Sequence, residues 1–192
     1  MTSDEELFRQ WQHGKVDAFE TLVQRYQRPL LSHLYSLVGS AQTAEDLVQE
    51  TFVRLVREAP SYRYPRPFFP WLYTIARNLA LKELASAYHR HVELGMALPE
   101  APTRESDPEE AVERWEQQHD LQRALAYLSF EQREVLSLRF NQELSVKEAA
   151  ELLGIPPGTV KSRTFQALQR LRQYLETTSF GSEVSRGDYT HG

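Results

Sequence analysis

The segment that decides the fold is Ser145–Arg172, SVKEAAELLGIPPGTVKSRTFQALQRLR. Its first serine, followed three residues later by Glu148, has the capping-box pattern that begins a helix. Gly154 fits a tight turn, because glycine adopts a positive φ without steric cost. Pro156-Pro157 prevents continuation of the first helix and suits the beginning of a second one. The segment therefore predicts two short helices joined by a glycine turn.

The second of these helices is basic. Between Gly158 and Leu175 the only charged residues are Lys161, Arg163, Arg170 and Arg172. A helix of this charge, placed after a helix and a tight turn, suits contact with a phosphate-lined DNA major groove. The pattern favours a helix-turn-helix that reads DNA over an amphipathic helix of an ordinary bundle.

The composition excludes several classes of protein. The chain has 192 residues and no cysteine, which excludes disulfides and cysteine-ligated metal sites. No apolar run approaches the roughly 20 residues that a membrane span needs, so we expect a cytoplasmic protein without membrane insertion. The net charge of −5 is concentrated in residues 99–120, which carry 8 acidic and 2 basic residues. A DNA-binding segment is therefore compatible with an acidic chain.

Apolar residues recur at helical spacing along most of the chain, without the alternation typical of strands. The sequence thus predicts an all-α fold. Asp17, Thr43 and Pro70 are the expected beginnings of three helices in the N-terminal half. Ser129 and Gln132 form a second capping-box pattern ahead of the helix-turn-helix.

A segment rich in proline and glutamate interrupts the helical pattern in the middle of the chain. We expect residues 96–107 to be an acidic, flexible linker between two small helical domains, at 1–95 and 108–176. The second domain contains the helix-turn-helix. The small and polar residues 177–192 predict a disordered tail.

Three segments resemble the extracytoplasmic-function (ECF) sigma factors of bacterial RNA polymerase. They are AEDLVQETFVRL at 44–55, FPWLYTIARN at 69–78, and the stretch from LSFEQREVLSLRF at Leu128 to GTVKSR at Gly158–Arg163. All three in this order are highly specific for the family. The resemblance implies a factor that directs core RNA polymerase to promoters and assists DNA melting. The sequence has no catalytic triad pattern, no glycine-rich phosphate loop and no cluster of metal ligands, so we expect no enzymatic activity, no catalytic residue, no metal and no cofactor.

The first segment predicts a helix with a polar face, whose N-terminal residues are acidic. By resemblance this face binds the clamp helices of the largest polymerase subunit. Its residues are Glu45, Asp46, Gln49, Glu50 and Arg54. The alternative is an ordinary solvated face, supported by the i,i+4 pair of Glu50 and Arg54.

By resemblance the second segment, with the aromatic loop YRYPRPFF at 62–69, recognises and melts the promoter −10 element. Capture of an unpaired base requires an aromatic face for stacking and an amide that reads the base edge. The expected DNA contacts are Tyr62, Arg63, Trp71, Arg77, Asn78 and Lys82. The spacing of Trp71 favours a core anchor over a direct contact.

By resemblance the basic helix reads the −35 element. The expected contacts are Thr159, Lys161, Ser162, Arg163, Phe165 and Gln166. Arginine and lysine donate to guanine, whereas a glutamine at 166 suits adenine. The spacing predicts that Val160, Ala167, Leu168 and Leu171 form the buried stripe of this helix.

The resemblance also implies an anti-sigma factor as a partner, besides core polymerase and promoter DNA. Two alternatives remain open. A stand-alone helix-turn-helix regulator explains residues 129–176 but leaves the N-terminal half unexplained. A sigma-like decoy that binds core polymerase without initiating is compatible with the thin basic segment LALKELASAYHRH after Asn78.

Overall fold

The computed structural model describes residues 2–94 and 123–186. Every regular element in these ranges is helical, which confirms the all-α prediction. The chain divides into two compact units, at 1–102 and 103–192. The acidic linker expected at 96–107 lies outside the described residues.

The first unit is built from four helices. They are α1 (Asp4–Gln12), α2 (Val16–Val38), α3 (Ala41–Glu58), followed by a 3₁₀ turn (Ala59–Ser61), and α4 (Phe68–Leu94). All four contribute to one apolar core, in which Leu22, Leu34, Leu55 and Leu72 are fully buried. α1 and α4 add an aromatic cluster to this core, with Phe8 at its centre.

The three expected helix beginnings are displaced by a few residues. α2 begins at Val16, so Asp17 lies inside its first turn. The cap of α3 is Ser40 and not Thr43, because the Ser40 hydroxyl accepts a hydrogen bond from the Thr43 N–H at 3.3 Å. α4 begins at Phe68, which places Pro70 in the first turn, where a missing N–H leaves no intrahelical bond unmade.

The second unit contains the helix-turn-helix. Its elements are α5 (Phe130–Leu136), a π-helical turn (Ser137–Asn141), α6 (Val146–Leu153) and α7 (Pro157–Arg186), with residues 123–126 also helical. α7 extends into the segment for which the sequence predicts a disordered tail.

Both capping-box predictions are confirmed. The Ser129 and Ser145 hydroxyls accept hydrogen bonds from the N–H groups three residues later, and the side chains of Gln132 and Glu148 return the contact. Gly154 has φ 64° and ψ 33°, the left-handed conformation that the turn requires. These local signals fix where α5 and α6 begin and where α6 ends.

Val160 and Ala167 on α7 are fully buried, and Ala167 packs with Leu125 and Leu128. The prediction of a buried Leu168 is wrong, because its side chain is 46% exposed. Leu168 follows Val160 by eight residues, which places it about 80° further around the helix axis. Its side chain therefore lies to one side of the face that Val160 buries.

Candidate functional site

The N-terminal half of α7 presents a polar and basic surface. Lys161, Ser162 and Gln166 are exposed, and Phe165 is 62% exposed despite its large apolar ring. Thr159 and Arg163 are half-buried beside them. The six residues predicted to read the −35 element thus lie beside or away from the buried Val160. The Ser162 hydroxyl donates to the Thr159 carbonyl at 3.1 Å, so its oxygen is still available as an acceptor.

The four basic residues between Gly158 and Leu175 on α7 differ in their contacts. Arg170 donates to the side-chain oxygen of Gln132 at 3.1 Å, and Arg172 pairs with Glu176 at 3.0 Å. No carboxylate among the described residues pairs with Lys161 or Arg163. The positive charge at the start of the helix is therefore available to an external anion.

A second polar surface lies on α4. Asn78 and Lys82 are exposed and one helical turn apart, and Arg77 is half-buried next to them. Arg63 is exposed in the loop that precedes α4 and donates to the Pro60 carbonyl at 2.7 Å. Four of the six residues predicted to contact the −10 element are thus accessible, at least in part.

The other two, Tyr62 and Trp71, are in the core. Their exposed fractions are 2% and 5%, and their ring centroids lie 5.0 Å apart. The Tyr62 hydroxyl donates to the Arg66 carbonyl, and burial raises the pKa of Tyr62 to about 12. Neither ring offers a face to a DNA base in this structure, so the core-anchor interpretation of Trp71 accounts for its position.

The loop has an exposed aromatic residue that is not among the six predicted DNA contacts. Tyr64 is half exposed, and the guanidinium of Arg9 lies 5.1 Å from its ring centroid. The guanidinium of Arg66 lies 5.8 Å from the ring of Trp71. The alternation of arginine and tyrosine in YRYPRPFF was the available signal, but it does not show which tyrosine is buried.

The third surface is the outer face of α3. Glu45, Asp46 and Gln49 are exposed, and Glu50 and Arg54 are partly exposed and form an ion pair at 3.1 Å. The five residues predicted to bind polymerase therefore share one accessible side of the helix. Val53 and Val56 lie exposed on that side as well. Val56 follows Glu45 by eleven residues, almost a whole number of helical turns, so it lies on the same outward side of the helix as Glu45.

The described residues contain no group of three or more histidine, cysteine, aspartate or glutamate side chains arranged to hold a metal ion. In the same part of the chain, no helix has the length and apolar character needed to cross a membrane.

Comparison with known families matches both units. The family model for sigma-70 region 2 matches residues 22–90, and that for sigma-70 region 4 matches residues 118–171. The chain is 32% identical over 175 residues to the ECF RNA polymerase sigma factor SigW of Bacillus subtilis, covering 87% of this chain and 94% of SigW. This chain is an ECF sigma factor. The resemblance seen in the three sequence segments is confirmed, and the function of the chain is that of an RNA polymerase sigma factor.

Other members of the family are similar over most of the chain. The ECF sigma factor BldN of Streptomyces coelicolor is 37% identical over 172 residues, which cover 88% of this chain and 65% of BldN. Among solved structures, CnrH in complex with the cytosolic domain of CnrY has a TM-score of 0.69 at 26% identity, covering 91% of this chain and 97% of CnrH. RpoE of Bartonella quintana, in complex with the anti-sigma factor NepR, has a TM-score of 0.61 at 27% identity, covering 84% and 98%. The two helical domains therefore correspond to sigma regions 2 and 4.

Proposed function

We propose that this sigma factor recruits core RNA polymerase through α3 and recognises promoters through α4 and α7. In this proposal residues 1–95 bind polymerase and melt the −10 element, and residues 108–176 read the −35 element. The observation that carries it is the presence, in one chain, of a basic helix-turn-helix surface and a separate polar surface on α4. Each surface is backed by a buried scaffold, so its side chains are presented on rigid helices.

Recognition of the −35 element is proposed for the exposed side of α7. Lys161 and Arg163 supply donors for guanine O6 and N7 or for phosphates, and Gln166 matches the donor and acceptor pair of adenine. Phe165 presents an apolar ring to the groove, which suits contact with a thymine methyl group. Thr159 and Ser162 fit phosphate or base contacts at the edge of the same surface.

Melting of the −10 element is proposed for α4 and the loop before it. Asn78 reads the edge of an unpaired base with its amide, while Arg63, Arg77 and Lys82 contact the DNA backbone. Because Tyr62 and Trp71 are buried, their proposed role is to support this surface and not to touch DNA.

Binding of the polymerase clamp helices is proposed for the outer face of α3. Its acidic and amide side chains, Glu45, Asp46, Gln49 and Glu50 with Arg54, form the polar part of the contact. The exposed Val53 and Val56 add apolar area, which supports a protein partner because interface centres are depleted of charge.

An anti-sigma factor is proposed as the regulatory partner. RpoE is solved in complex with the anti-sigma factor NepR, and CnrH is solved with the cytosolic domain of CnrY. A partner that covers α3 in the cytoplasm competes with core polymerase for the same exposed residues.

The test is transcription in vitro with purified bacterial core polymerase, fragmented genomic DNA of the source organism, and this protein. New transcript starts that share two upstream elements at a fixed spacing support the proposal. Core binding without new starts contradicts it and favours a decoy. Specific DNA binding without any core binding also contradicts it and favours a stand-alone regulator.

A further inference from the structure

Helix α1 lies before the segment that matches sigma region 2, which begins at residue 22. It nevertheless contacts the residues just before and just after the loop at 62–67, and also Tyr64 within the loop. The side-chain amide of Gln12 donates to the Ala59 carbonyl at 2.7 Å, just before the loop. The Arg9 guanidinium lies over the ring of Tyr64.

The third contact is at the far end of the loop. A side-chain oxygen of Glu5 accepts a hydrogen bond from the Phe68 N–H at 3.0 Å, so Glu5 caps the first residue of α4. A carboxylate at a helix N-terminus is favoured both by the unsatisfied N–H groups and by the helix dipole. The bond from Phe68 accordingly lowers the pKa of Glu5 below its ordinary value.

The helix that makes these contacts is itself held firmly. Phe8 is fully buried, with its ring centroid 4.7 Å from Tyr62, 5.3 Å from Phe68 and 5.3 Å from Trp71. At the start of α1, the Asp4 carboxylate accepts hydrogen bonds from the side chains of Arg25 and Tyr26 on α2. Packed aromatic rings as well as hydrogen bonds therefore fix the loop relative to α1.

The loop in turn shapes the α4 surface. Arg66 and Tyr62 cover Trp71, which lies on the same side of α4 as Asn78, two helical turns earlier. A base that meets the amide of Asn78 therefore has the loop as its neighbour along the helix. A displacement of the loop by about 1 Å alters such a site, because selectivity requires fixed geometry.

We propose that α1 determines the base preference of the −10 contact, with Glu5 and Arg9 as positioning residues that fix the loop at 62–67. The inference rests on the proposed role of α4 in reading an unpaired base. It concerns residues that precede the matched family segment.

The experiment uses holoenzyme assembled from core polymerase and the full chain. Templates carry one −35 element and a pre-opened −10 region, with each of the four bases in turn at each unpaired position. The rate of first-bond formation gives a ratio between the best and the worst base. The variants are Glu5→Ala, Glu5→Gln and Arg9→Met, and Glu20→Gln on α2 is the matched control for removal of an exposed charge. Core affinity and the thermal midpoint are measured for each variant.

We expect Glu5→Ala and Arg9→Met to lower the best-to-worst ratio about fivefold, which is the size expected for the loss of one hydrogen bond or one exposed cation–π contact. Glu5→Gln keeps a carbonyl acceptor for the Phe68 N–H and should retain an intermediate ratio. Glu20→Gln should match the wild type. Core affinity should stay constant in all four variants, because α3 is unchanged.

The outcomes separate the inference from the proposed function. A wild-type enzyme that initiates equally with all four bases at every position overturns both. Wild-type selectivity that persists in Glu5→Ala and Arg9→Met overturns the inference alone. If Glu5→Ala fails to fold, Arg9→Met decides the question, because the Arg9 side chain is 49% exposed and its removal leaves the core intact.

Discussion

The guanidinium of Arg170 donates a hydrogen bond of 3.1 Å to the side-chain oxygen of Gln132, 38 residues earlier in the chain. The same oxygen accepts the Ser129 N–H at 3.1 Å as part of the capping box of α5. One amide oxygen thus joins the cap of α5 to the middle of α7. This bond explains why Arg170 belongs to the scaffold, although its charge suggests DNA contact.

Gln132→Ala removes both of these bonds and leaves the Ser129 N–H without its capping partner. We expect the second domain to lose about 1–2 kcal/mol of unfolding free energy in this variant. Arg172→Ala removes only the exposed i,i+4 pair with Glu176, and we expect a change below about 0.5 kcal/mol. Urea unfolding followed by circular dichroism compares the two variants. Equal losses in both contradict a special role for Gln132.

The turn of the helix-turn-helix depends on the left-handed backbone of Gly154. Gly154→Ala should destabilise the second domain by about 1 kcal/mol through the unfavourable positive φ. Apart from its own chain neighbours, no atom of the described residues lies within 4 Å of the position that a Cβ at residue 154 would occupy, so no steric clash adds to this value. Gly154→Asn should cost less, since asparagine tolerates this conformation better.

Gly158 supplies the control for this prediction. It lies in the first turn of α7 without a positive φ, and it also has open space at its Cβ position. Gly158→Ala should leave stability unchanged or raise it by up to about 1 kcal/mol. Urea unfolding of the two alanine variants should therefore show changes of opposite sign or clearly unequal size.

The role proposed for Asn78 predicts a defect confined to initiation. Asn78→Ala should lower the rate of open-complex formation by about 5- to 150-fold, which corresponds to the ~1–3 kcal/mol of one base contact. Its affinity for core polymerase should equal that of the wild type, because α3 is unaltered. Gln27→Ala, an exposed glutamine on α2, is the control. A defect that appears equally in core binding would contradict the assignment.

Variants of the amide residue Gln166 and of the basic residue Lys161 on α7 should respond differently to base changes in the −35 element. Gln166→Ala should reduce discrimination at one adenine position about 5-fold or more, leaving other positions unchanged. If Lys161 contacts a phosphate, Lys161→Ala should weaken binding to all templates to a similar extent. If Lys161 contacts a base, the variant should lose discrimination only at one guanine position. Gln173→Ala, two turns further along the same side of α7, should behave as the wild type. Transcription from a set of single-base −35 variants measures all three.

Prediction from sequence succeeded where the signal is local. Ser129, Ser145 and Gly154 act through groups within a few residues, so capping boxes and the glycine turn could be placed correctly. The prediction failed at the beginning of α3, because Ser40 and Thr43 both have suitable hydroxyls three residues apart. Only the geometry shows which one is the cap.

The polar surfaces were predictable only in part, because burial depends on contacts that are distant in sequence. Trp71 lies on the same side of α4 as Asn78, yet the loop covers it. The contact of Glu5 with Phe68 spans 63 residues, and no pattern near either residue indicates it. Long-range contacts of this kind decide which aromatic side chains support a surface and which form it.

The buried His33 predicts a loss of stability in mild acid. Burial lowers its pKa to about 3, and its ring lies 4.9 Å from that of Tyr73. The unfolded chain takes up a proton near the ordinary value of about 6.5, whereas the folded chain does not. The stabilising effect of the neutral ring is therefore complete above pH 6.5 and falls as the pH decreases toward 3.

At pH 5 the loss from His33 should reach about 2 kcal/mol, at roughly 1.4 kcal/mol for each pH unit below 6.5. Carboxylates with lowered pKa, such as Glu5, add their loss only below the ordinary glutamate range, so the interval from pH 6.5 to 5 separates the effect of His33 from that of these carboxylates. Urea unfolding across this interval should show a slope in the wild type and in His13→Gln, an exposed control, and a much smaller slope in His33→Leu. An equal slope in His33→Leu would mean that another group takes up the proton on unfolding.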